Sequence, residues 1–271
     1  MIRARKQFGQ HFLEPVWVDK VITAIDPQPD QMFVEIGSGP GALTRPLTAR
    51  ARSVTAYEID RDLAAALTDA AIPNLTVVEG DFLKREMSDF RLQTSDFRVA
   101  GNLPYNVASP IMFRLVELHA AGVRLVDATL MLQREVADRL VAAPGSKEYG
   151  VLSILIQHRA DVETVLKLPA GAFRPPPKVL SSLVRLRFRE PRPAVNDEAM
   201  FERIVQGVFT RRRKTMANAL LALDAAAAPP LRPAEALAVA GLDGSRRPET
   251  LTIAEFARLA DSYVPGRRAV L

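Results

Sequence analysis

The sequence predicts an α/β protein in which a doubly wound, mostly parallel sheet precedes a smaller all-α domain. A β-type run at 31–36 leads through a glycine-rich turn into a helix, strands and helices then alternate to residue 188, and only helical patterns remain beyond residue 197. This alternation is typical of parallel sheets, because each pair of parallel strands needs a crossover connection. We therefore predict an α/β domain over 1–190 and a helical domain over 191–271.

Composition excludes several kinds of chemistry. The 271 residues are enough for a large domain and a second, smaller one. Without cysteine there is no disulfide, thiolate metal site or cysteine nucleophile, and three widely separated histidines do not predict a metal cluster. No apolar run reaches the ~18 residues of a membrane span, and no signal-peptide segment follows the basic N-terminus. We expect a cytoplasmic monomer that holds no metal.

Charge is distributed unevenly along the chain. Residues 1–170 carry a net charge of −2 and residues 171–271 one of +7. The basic part contains a run of four cations within a helix or at a helix junction, Arg211, Arg212, Arg213 and Lys214. Such a surface suits a polyanion, since contacts to phosphates add affinity without sequence specificity. The competing interpretation is a solvated charged face with no partner.

The N-terminal segment 6–13 combines basic and aromatic residues and ends in His11-Phe12-Leu13. Two phenylalanines and a leucine predict an arm that docks on the protein, although a terminus is disordered by default. An amphipathic helix follows, with Pro15 in its first turn and Ile25 near its end.

A glycine-rich turn follows the first strand. Gly37-Ser38-Gly39-Pro40-Gly41 separates that strand from a helix predicted to begin at Ala42. Glycines here can adopt positive φ and let a ligand approach the backbone. The next strand, 53–57, ends in Glu58, at the distance from Gly37 where an acid binds ribose hydroxyls.

Two ligands fit this turn. Gly37, Gly39 and Ala42 match the dinucleotide pattern G-x-G-x-x-A. Gly41 gives instead a G-x-G-x-G spacing, and Glu35 places a carboxylate where a pyrophosphate would be repelled. Carboxylates suit the sulfonium and ammonium groups of S-adenosylmethionine. The turn favours S-adenosylmethionine without excluding NAD.

Polar side chains also end the next two strands. Asp81 follows a strand at 75–79, where it can accept from an adenine amine with Phe82 beside the ring, or can simply cap the next turn. A strand at 97–101 leads into Asn102-Leu103-Pro104-Tyr105. An amide oxygen and a turn carbonyl could accept both hydrogens of an exocyclic amine while Tyr105 stacks on its ring. The alternative is a strand-ending turn with a buried tyrosine.

The remaining segments complete the pattern. The sequence predicts helices at 109–121, 133–141 and 151–157 and strands at 126–132, 162–168 and 182–188. The segment 172–179 contains three prolines, which make it rigid and extended and hold Phe173, Arg174 and Lys178 against the sheet edge. His119 and His158 are interpreted as helix-end or surface residues.

Five motifs in this order resemble the bacterial KsgA-type ribosomal RNA adenine dimethyltransferases: residues 6–13, 35–41, 102–105, 173–179 and 212–215. The resemblance spans residue 3 to about 220. It implies a Rossmann-like class I S-adenosylmethionine-dependent methyltransferase sheet with a small all-α C-terminal domain that binds RNA. The implied reaction transfers two methyl groups from S-adenosyl-L-methionine to N6 of each of two adjacent adenosines near the 3′ end of 16S rRNA, in the immature small ribosomal subunit.

The resemblance also implies roles for single residues, carried over by position. The cofactor contacts would be His11, Leu13, Gly37, Glu58, Asp81 and Asn102. Many relatives have asparagine in place of His11, so a backbone contact from this position would be retained, while a contact from its side chain stays open. The catalytic set would be Asn102, Leu103, Pro104, Tyr105 and Phe173, with the target base sandwiched between the two aromatic rings. The RNA contacts would be Arg174, Lys178, Arg211, Arg212, Arg213 and Lys214.

Other functions remain open from the sequence. Enzymes that methylate large-subunit rRNA, or adenine in DNA, share the general pattern, although DNA enzymes usually have aspartate in place of Asn102. A non-catalytic assembly factor that binds immature small subunits would need only the basic helical domain.

Overall fold

The first part of the chain forms the predicted parallel sheet. The computed structural model describes residues 11–91, 95–224 and 232–264, so residues 6–10 of the predicted arm lie outside the described part. The strands in the described residues are β1 Phe12–Leu13, β2 Met32–Ile36, β3 Ser53–Glu58, β4 Leu75–Glu79, β5 Phe97–Asn102, β6 Leu125–Gln133, β7 Ala160–Leu168, β8 Phe173–Arg174 and β9 Ser181–Phe188.

The order of the strands places a crevice at one point of the sheet. Seven strands form one sheet in the order β4-β3-β2-β5-β6-β9-β7. The pairs formed among β2, β3, β4, β5 and β6 are parallel, and the pair of β6 with β9 is antiparallel. The chain runs from β2 outward through β3 and β4 and then returns to place β5 on the other side of β2. In such sheets the ligand binds outside the carboxyl ends of the strands where the order reverses. Here that point lies between Ile36 and Asn102.

Helices account for most of the remaining structure. They are α1 Pro15–Ile25, α2 Thr44–Thr48, α3 Arg61–Asp69, α4 Met87–Arg91, α5 Ala108–Ala120, α6 Arg134–Leu140, α7 Val151–Arg159, α8 Glu198–Phe209, α9 Met216–Asp224, α10 Pro233–Val239 and α11 Ile253–Ser262. Short 3-10 helices cover Phe82–Lys84, Ala170–Ala172 and Pro248–Thr250. No helix in the described ranges is both long and apolar enough to span a membrane.

The predicted strands and helices of the sheet are confirmed within two residues. The helix predicted from Ala42 begins at Thr44. Gly37, Gly39 and Gly41 all have positive φ, so the chain turns repeatedly before the helix can start.

Helix α1 is fixed to the sheet at both ends. Its apolar face is buried in a cluster that includes Leu13 of β1 and Phe173 of β8. At its C-terminal end, the Arg98 guanidinium donates to the carbonyl oxygens of Ile25 and Asp26 at 2.9 and 3.1 Å. A cation at this end also interacts favourably with the helix dipole. These contacts hold α1 in place and so fix the position at which the arm joins it.

The chain divides into two compact units. One comprises Met1–Ala137 and Asp161–Phe188, and the other Asp138–Ala160 and Arg189–Leu271. Asp138–Ala160 belongs to the same unit as the helices beyond residue 189. The His158 ring, at the end of α7, is buried and lies 4.4 Å from the Phe201 ring of α8. This packing between distant parts of the sequence is not visible as a local pattern, and the division into domains at 1–190 and 191–271 stays a prediction.

Candidate active site

The glycine-rich turn forms one wall of a groove across the carboxyl ends of the strands. The Gly37 amide donates to the Tyr57 carbonyl at 2.9 Å, which ties the turn to β3. A Cβ atom at Gly37 would lie 3.8 Å from the carbonyl oxygen of Asn102 and would narrow the space between the two strand ends. With φ values of 75°, 55° and 90°, Gly37, Gly39 and Gly41 hold a conformation that other residues rarely adopt.

Two neighbouring pockets make up the groove. The first is enclosed by the arm at 11–13, the glycine-rich turn, Glu58 and residues 102–105. The second is enclosed by Tyr57, Asp81, Phe82 and the start of α5. Both are lined by Gly37, Ile59 and Pro104, so the two pockets adjoin along these residues.

Glu58 organises the turn and also faces the first pocket. Its side chain is buried, its Oε2 accepts from the Gly39 amide at 2.6 Å, and its Oε1 accepts from the Asp60 amide at 2.9 Å. Burial raises the pKa of Glu58, and these two backbone donors oppose the rise. Each carboxylate oxygen can accept a second hydrogen bond, so the acid can still bind a hydroxyl group.

Asp81 is placed at the second pocket. Its Oδ1 accepts from the Leu83 amide at 3.0 Å, so the capping interpretation is confirmed. Capping uses one carboxylate oxygen and leaves Oδ2 to accept from a ligand. Beside it the Phe82 ring is buried and packs edge-on against Tyr57, with ring centroids 5.4 Å apart.

Asn102 is oriented by the arm. Its Nδ2 donates to the His11 carbonyl oxygen at 2.8 Å. Because a carbonyl oxygen only accepts, this contact fixes which amide atom is nitrogen and leaves Oδ1 as an acceptor without a partner among the described residues. The His11 backbone thus contacts a site residue, while its imidazole bonds through Nδ1 to the Pro175 carbonyl at 2.7 Å.

Tyr105 is held from two sides. Its hydroxyl group is 2.8 Å from the Ser181 Oγ, and its ring is stacked on the His11 ring with centroids 5.8 Å apart and planes inclined by 26°. Burial raises the pKa of Tyr105, and the Ser181 hydroxyl opposes the rise. Before Tyr105, Leu103 is buried and Pro104 is half-buried at the junction of the pockets.

The structure does not bring Phe173 to the face of Tyr105. Phe173 is only 3% exposed and packs in the hydrophobic cluster with Leu13, its partner in the β1–β8 pair. A sandwich of the target base between the two rings is therefore not formed in this conformation. The stacking role of Phe173 stays a prediction.

Comparison with known proteins gives the site its context. A family model described as ribosomal RNA adenine dimethylase matches residues 1–262. The chain belongs to this family. It is 44% identical over 268 residues to ribosomal RNA small subunit methyltransferase A of Acinetobacter baylyi, with 97% of this chain and 93% of the relative covered.

Two solved structures share the fold. A dimethyladenosine transferase from Plasmodium falciparum superposes with a TM-score of 0.75 at 25% identity, covering 92% of this chain and 96% of that one. The 23S rRNA methyltransferase ErmE gives 0.67 at 29% identity, covering 93% and 99%. The sheet of the first unit is thus a class I S-adenosylmethionine-dependent methyltransferase fold, as predicted.

Several pocket residues of this dimethylase were not among the predicted contacts, among them Ile59, Glu35 and Ser38. Ile59 is 47% exposed although it is a large apolar residue, and it lines both pockets. Glu35 and Ser38 are buried in the wall of the first pocket, and within the described residues Glu35 Oε2 and Ser38 Oγ have no hydrogen-bond partner. An apolar residue directly after Glu58, the acid predicted to bind ribose, was a usable signal for Ile59. The orphaned polar atoms could be found only from the structure.

The predicted RNA contacts divide into exposed and engaged cations. Arg211, Arg213 and Lys214 are exposed in the turn between α8 and α9. Arg212 instead donates through Nη2 to the Lys147 carbonyl at 2.7 Å and is partly buried. It therefore joins two loops of the second unit.

In the first unit, Arg174 is 84% exposed and pairs with Glu14 at 2.7 Å. Lys178 is exposed beyond the proline-rich segment. An exposed pair such as Arg174–Glu14 contributes little stability, so Arg174 can exchange partners at low cost.

Proposed function

We propose that the protein transfers methyl groups from S-adenosyl-L-methionine to N6 of two adjacent adenosines in the 3′-terminal hairpin of 16S rRNA. The observation that carries this proposal is the position of Asn102. Its free amide oxygen and the stacked Tyr105 line the same pocket as Gly37 and Glu58. An acceptor for an exocyclic amine therefore adjoins a nucleoside-type cofactor site.

The groove fits S-adenosylmethionine better than a dinucleotide. Glu35 and Glu58 are buried in the wall of the first pocket, whose described lining contains neither lysine nor arginine. Burial keeps Glu35 neutral in the free protein at pH 7. A pyrophosphate would be repelled by the Glu58 carboxylate, whereas a sulfonium and an ammonium group would be attracted to Glu58 and would favour ionisation of Glu35. The unpaired Glu35 Oε2 and Ser38 Oγ are further reason to expect a polar ligand.

Different residues would hold different parts of the cofactor. Glu58 would bind the ribose hydroxyls and Asp81 the adenine amine, and Ile59 would pack against the apolar faces of the cofactor. Gly37, Leu13 and the His11 backbone would line the methionine end. When bound, the cofactor supplies an electrophilic methyl group.

The chain itself acts by orientation. Asn102 Oδ1 and the backbone carbonyl at the Leu103–Pro104 turn would accept the two hydrogens of N6 and hold the nitrogen as it becomes pyramidal. Tyr105 would stack on the adenine, an interaction that contributes about 1–3 kcal/mol and offsets the few kcal/mol needed to unstack the base. No strong general base is needed, since the methylated nitrogen is acidic and its proton can pass to water. Catalysis then rests on alignment and charge placement.

Arg211, Arg213 and Lys214 would contact RNA phosphates, while Arg212 keeps its loop in place. Arg174 and Lys178 would add contacts from the first unit. Each phosphate contact increases the salt dependence of binding without reading sequence. We further propose that the protein acts as a monomer in the cytoplasm on the immature small subunit.

The test uses small subunits isolated from cells that lack the protein. Purified protein and labelled S-adenosylmethionine are added, and dimethyladenosine is located in the rRNA by mass spectrometry. We expect methylation of 16S rRNA, its loss in Asn102→Ala, and retained particle binding by that variant. The matched control is Asn196→Ala, an exposed asparagine of the second unit. Label found in 23S rRNA, or equal turnover by Asn102→Ala, would contradict the proposal.

A further inference from the structure

The His11 ring is stacked on Tyr105 in the pocket that also holds Asn102. His11 and Tyr105 line the same pocket, their rings are stacked, and the His11 carbonyl bonds to the Asn102 amide. The imidazole therefore covers one face of the Tyr105 ring. A base that stacks on this face needs the same space.

The imidazole is anchored there by one hydrogen bond. Since the Pro175 carbonyl oxygen only accepts, His11 Nδ1 carries the hydrogen in the 2.7 Å contact between them. A planar aromatic ring that stacks on Tyr105 and is fixed by a hydrogen bond at its edge has the features expected of a bound base. The His11 side chain therefore makes the kinds of contact expected of a bound adenine.

We propose that the His11 side chain occupies the acceptor-base position in the free protein and must be displaced by the target adenine, so that it lowers the affinity for substrate RNA. The inference rests on the proposed adenine methylation at this site. An aromatic stack of this kind corresponds to a change in affinity of roughly 2- to 12-fold. Replacing the ring by a side chain that keeps the edge hydrogen bond removes the competition without releasing the arm.

His11→Asn provides this replacement, and His11→Phe is its matched control because it retains a ring. The chain also contains an equivalent pair elsewhere: His119 stacks on Phe188 with centroids 5.6 Å apart and an inclination of 26°. His119→Asn therefore controls for the loss of a stacked histidine as such. With three histidines in the sequence, the imidazole NMR signals can be assigned by these variants.

Initial rates are measured on unmethylated small subunits with labelled S-adenosylmethionine. We expect the KM for particles to fall about 2- to 12-fold in His11→Asn, and to stay at or above the wild-type value in His11→Phe and His119→Asn. In the free wild-type protein, the His11 signals should show the upfield shift of a ring stacked on tyrosine. An unchanged or higher particle KM in His11→Asn would overturn the inference, because the ring would then be a neutral or supporting wall. If the wild-type protein transfers no label, the proposed function fails instead.

Discussion

Glu35 should limit the stability of the protein in a manner that depends on pH. It is 1% exposed at the end of β2, and burial raises its pKa from 4.5 to about 8. The neighbouring Thr44 hydroxyl partly offsets this rise, and the negative charge of Glu58 adds to it. At neutral pH the folded protein therefore keeps Glu35 protonated, whereas the unfolded chain ionises it.

The direction and size of the effect follow from this difference in proton binding. Below pH 4.5 both states are protonated and Glu35 costs nothing. As the pH rises from 4.5 to 8 the unfolded state is increasingly favoured, and the free energy of unfolding falls by about 3 kcal/mol at pH 7 and about 5 kcal/mol above pH 8. Glu35→Gln keeps the shape of the neutral acid and cannot ionise. The variant should therefore be more stable than the wild type at pH 7 and nearly equal to it at pH 4.5.

Urea unfolding of both proteins at several pH values between 4.5 and 8 measures this difference. The single tryptophan, Trp17, lies in α1 against the core of the first unit and reports the unfolding of the unit that holds Glu35. Other groups titrate in both proteins, so they largely cancel in the difference. A stability difference that stays constant with pH would refute the reasoning. We also expect Glu35→Gln to bind S-adenosylmethionine more weakly in calorimetry, because a glutamine cannot ionise in response to the positive charge of the cofactor.

Three further predictions concern the site and the second unit. Glu58→Gln should lower the affinity for S-adenosylmethionine about 10-fold or more, since hydrogen bonds to a charged group contribute about 1.5–3 kcal/mol; equal affinity in calorimetry would contradict the ribose role. Gly101→Ala should destabilise the protein by about 1–3 kcal/mol, because its Cβ would lie 2.7 Å from the Ile36 carbonyl oxygen; an unchanged urea midpoint would show that the strands can separate at no cost. Arg213→Ala should weaken the salt dependence of RNA binding without changing Tm, because Arg213 is exposed. Arg212→Ala should instead lower Tm, because its hydrogen bond to the Lys147 carbonyl is lost. The reverse pattern would show that Arg212 contacts RNA and that Arg213 stabilises the fold.

The sequence predicts which residues lie together at the pockets because its signals are local. Gly37, Glu58, Asp81 and Asn102 each stand at the end of a strand that periodicity identifies, and parallel strands bring such ends together. The turn alone leaves both NAD and S-adenosylmethionine open, and the family and fold of the chain decide for S-adenosylmethionine.

What the sequence does not predict depends on distant contacts. Phe173 is buried because β8 pairs with the arm about 160 residues earlier in the chain. No local sequence pattern predicts that pairing. In the same way, Arg212 belongs to a basic run in the sequence, but in the structure it donates a hydrogen bond to the backbone carbonyl of Lys147. The ring of His11 contacts Tyr105 for the same reason, so its position could not be inferred from the motif around it.

The β1–β8 pair couples the arm to the residue that would hold the target amine. Within the described residues, two residue pairs form this small sheet, Phe12 with Arg174 and Leu13 with Phe173, and Phe12 lies over Gly39 at the pocket. Detaching the arm would expose the buried Leu13 and Phe173 side chains and would break the bond from the Asn102 amide to the His11 carbonyl. The docked arm and the orientation of Asn102 are therefore gained or lost together.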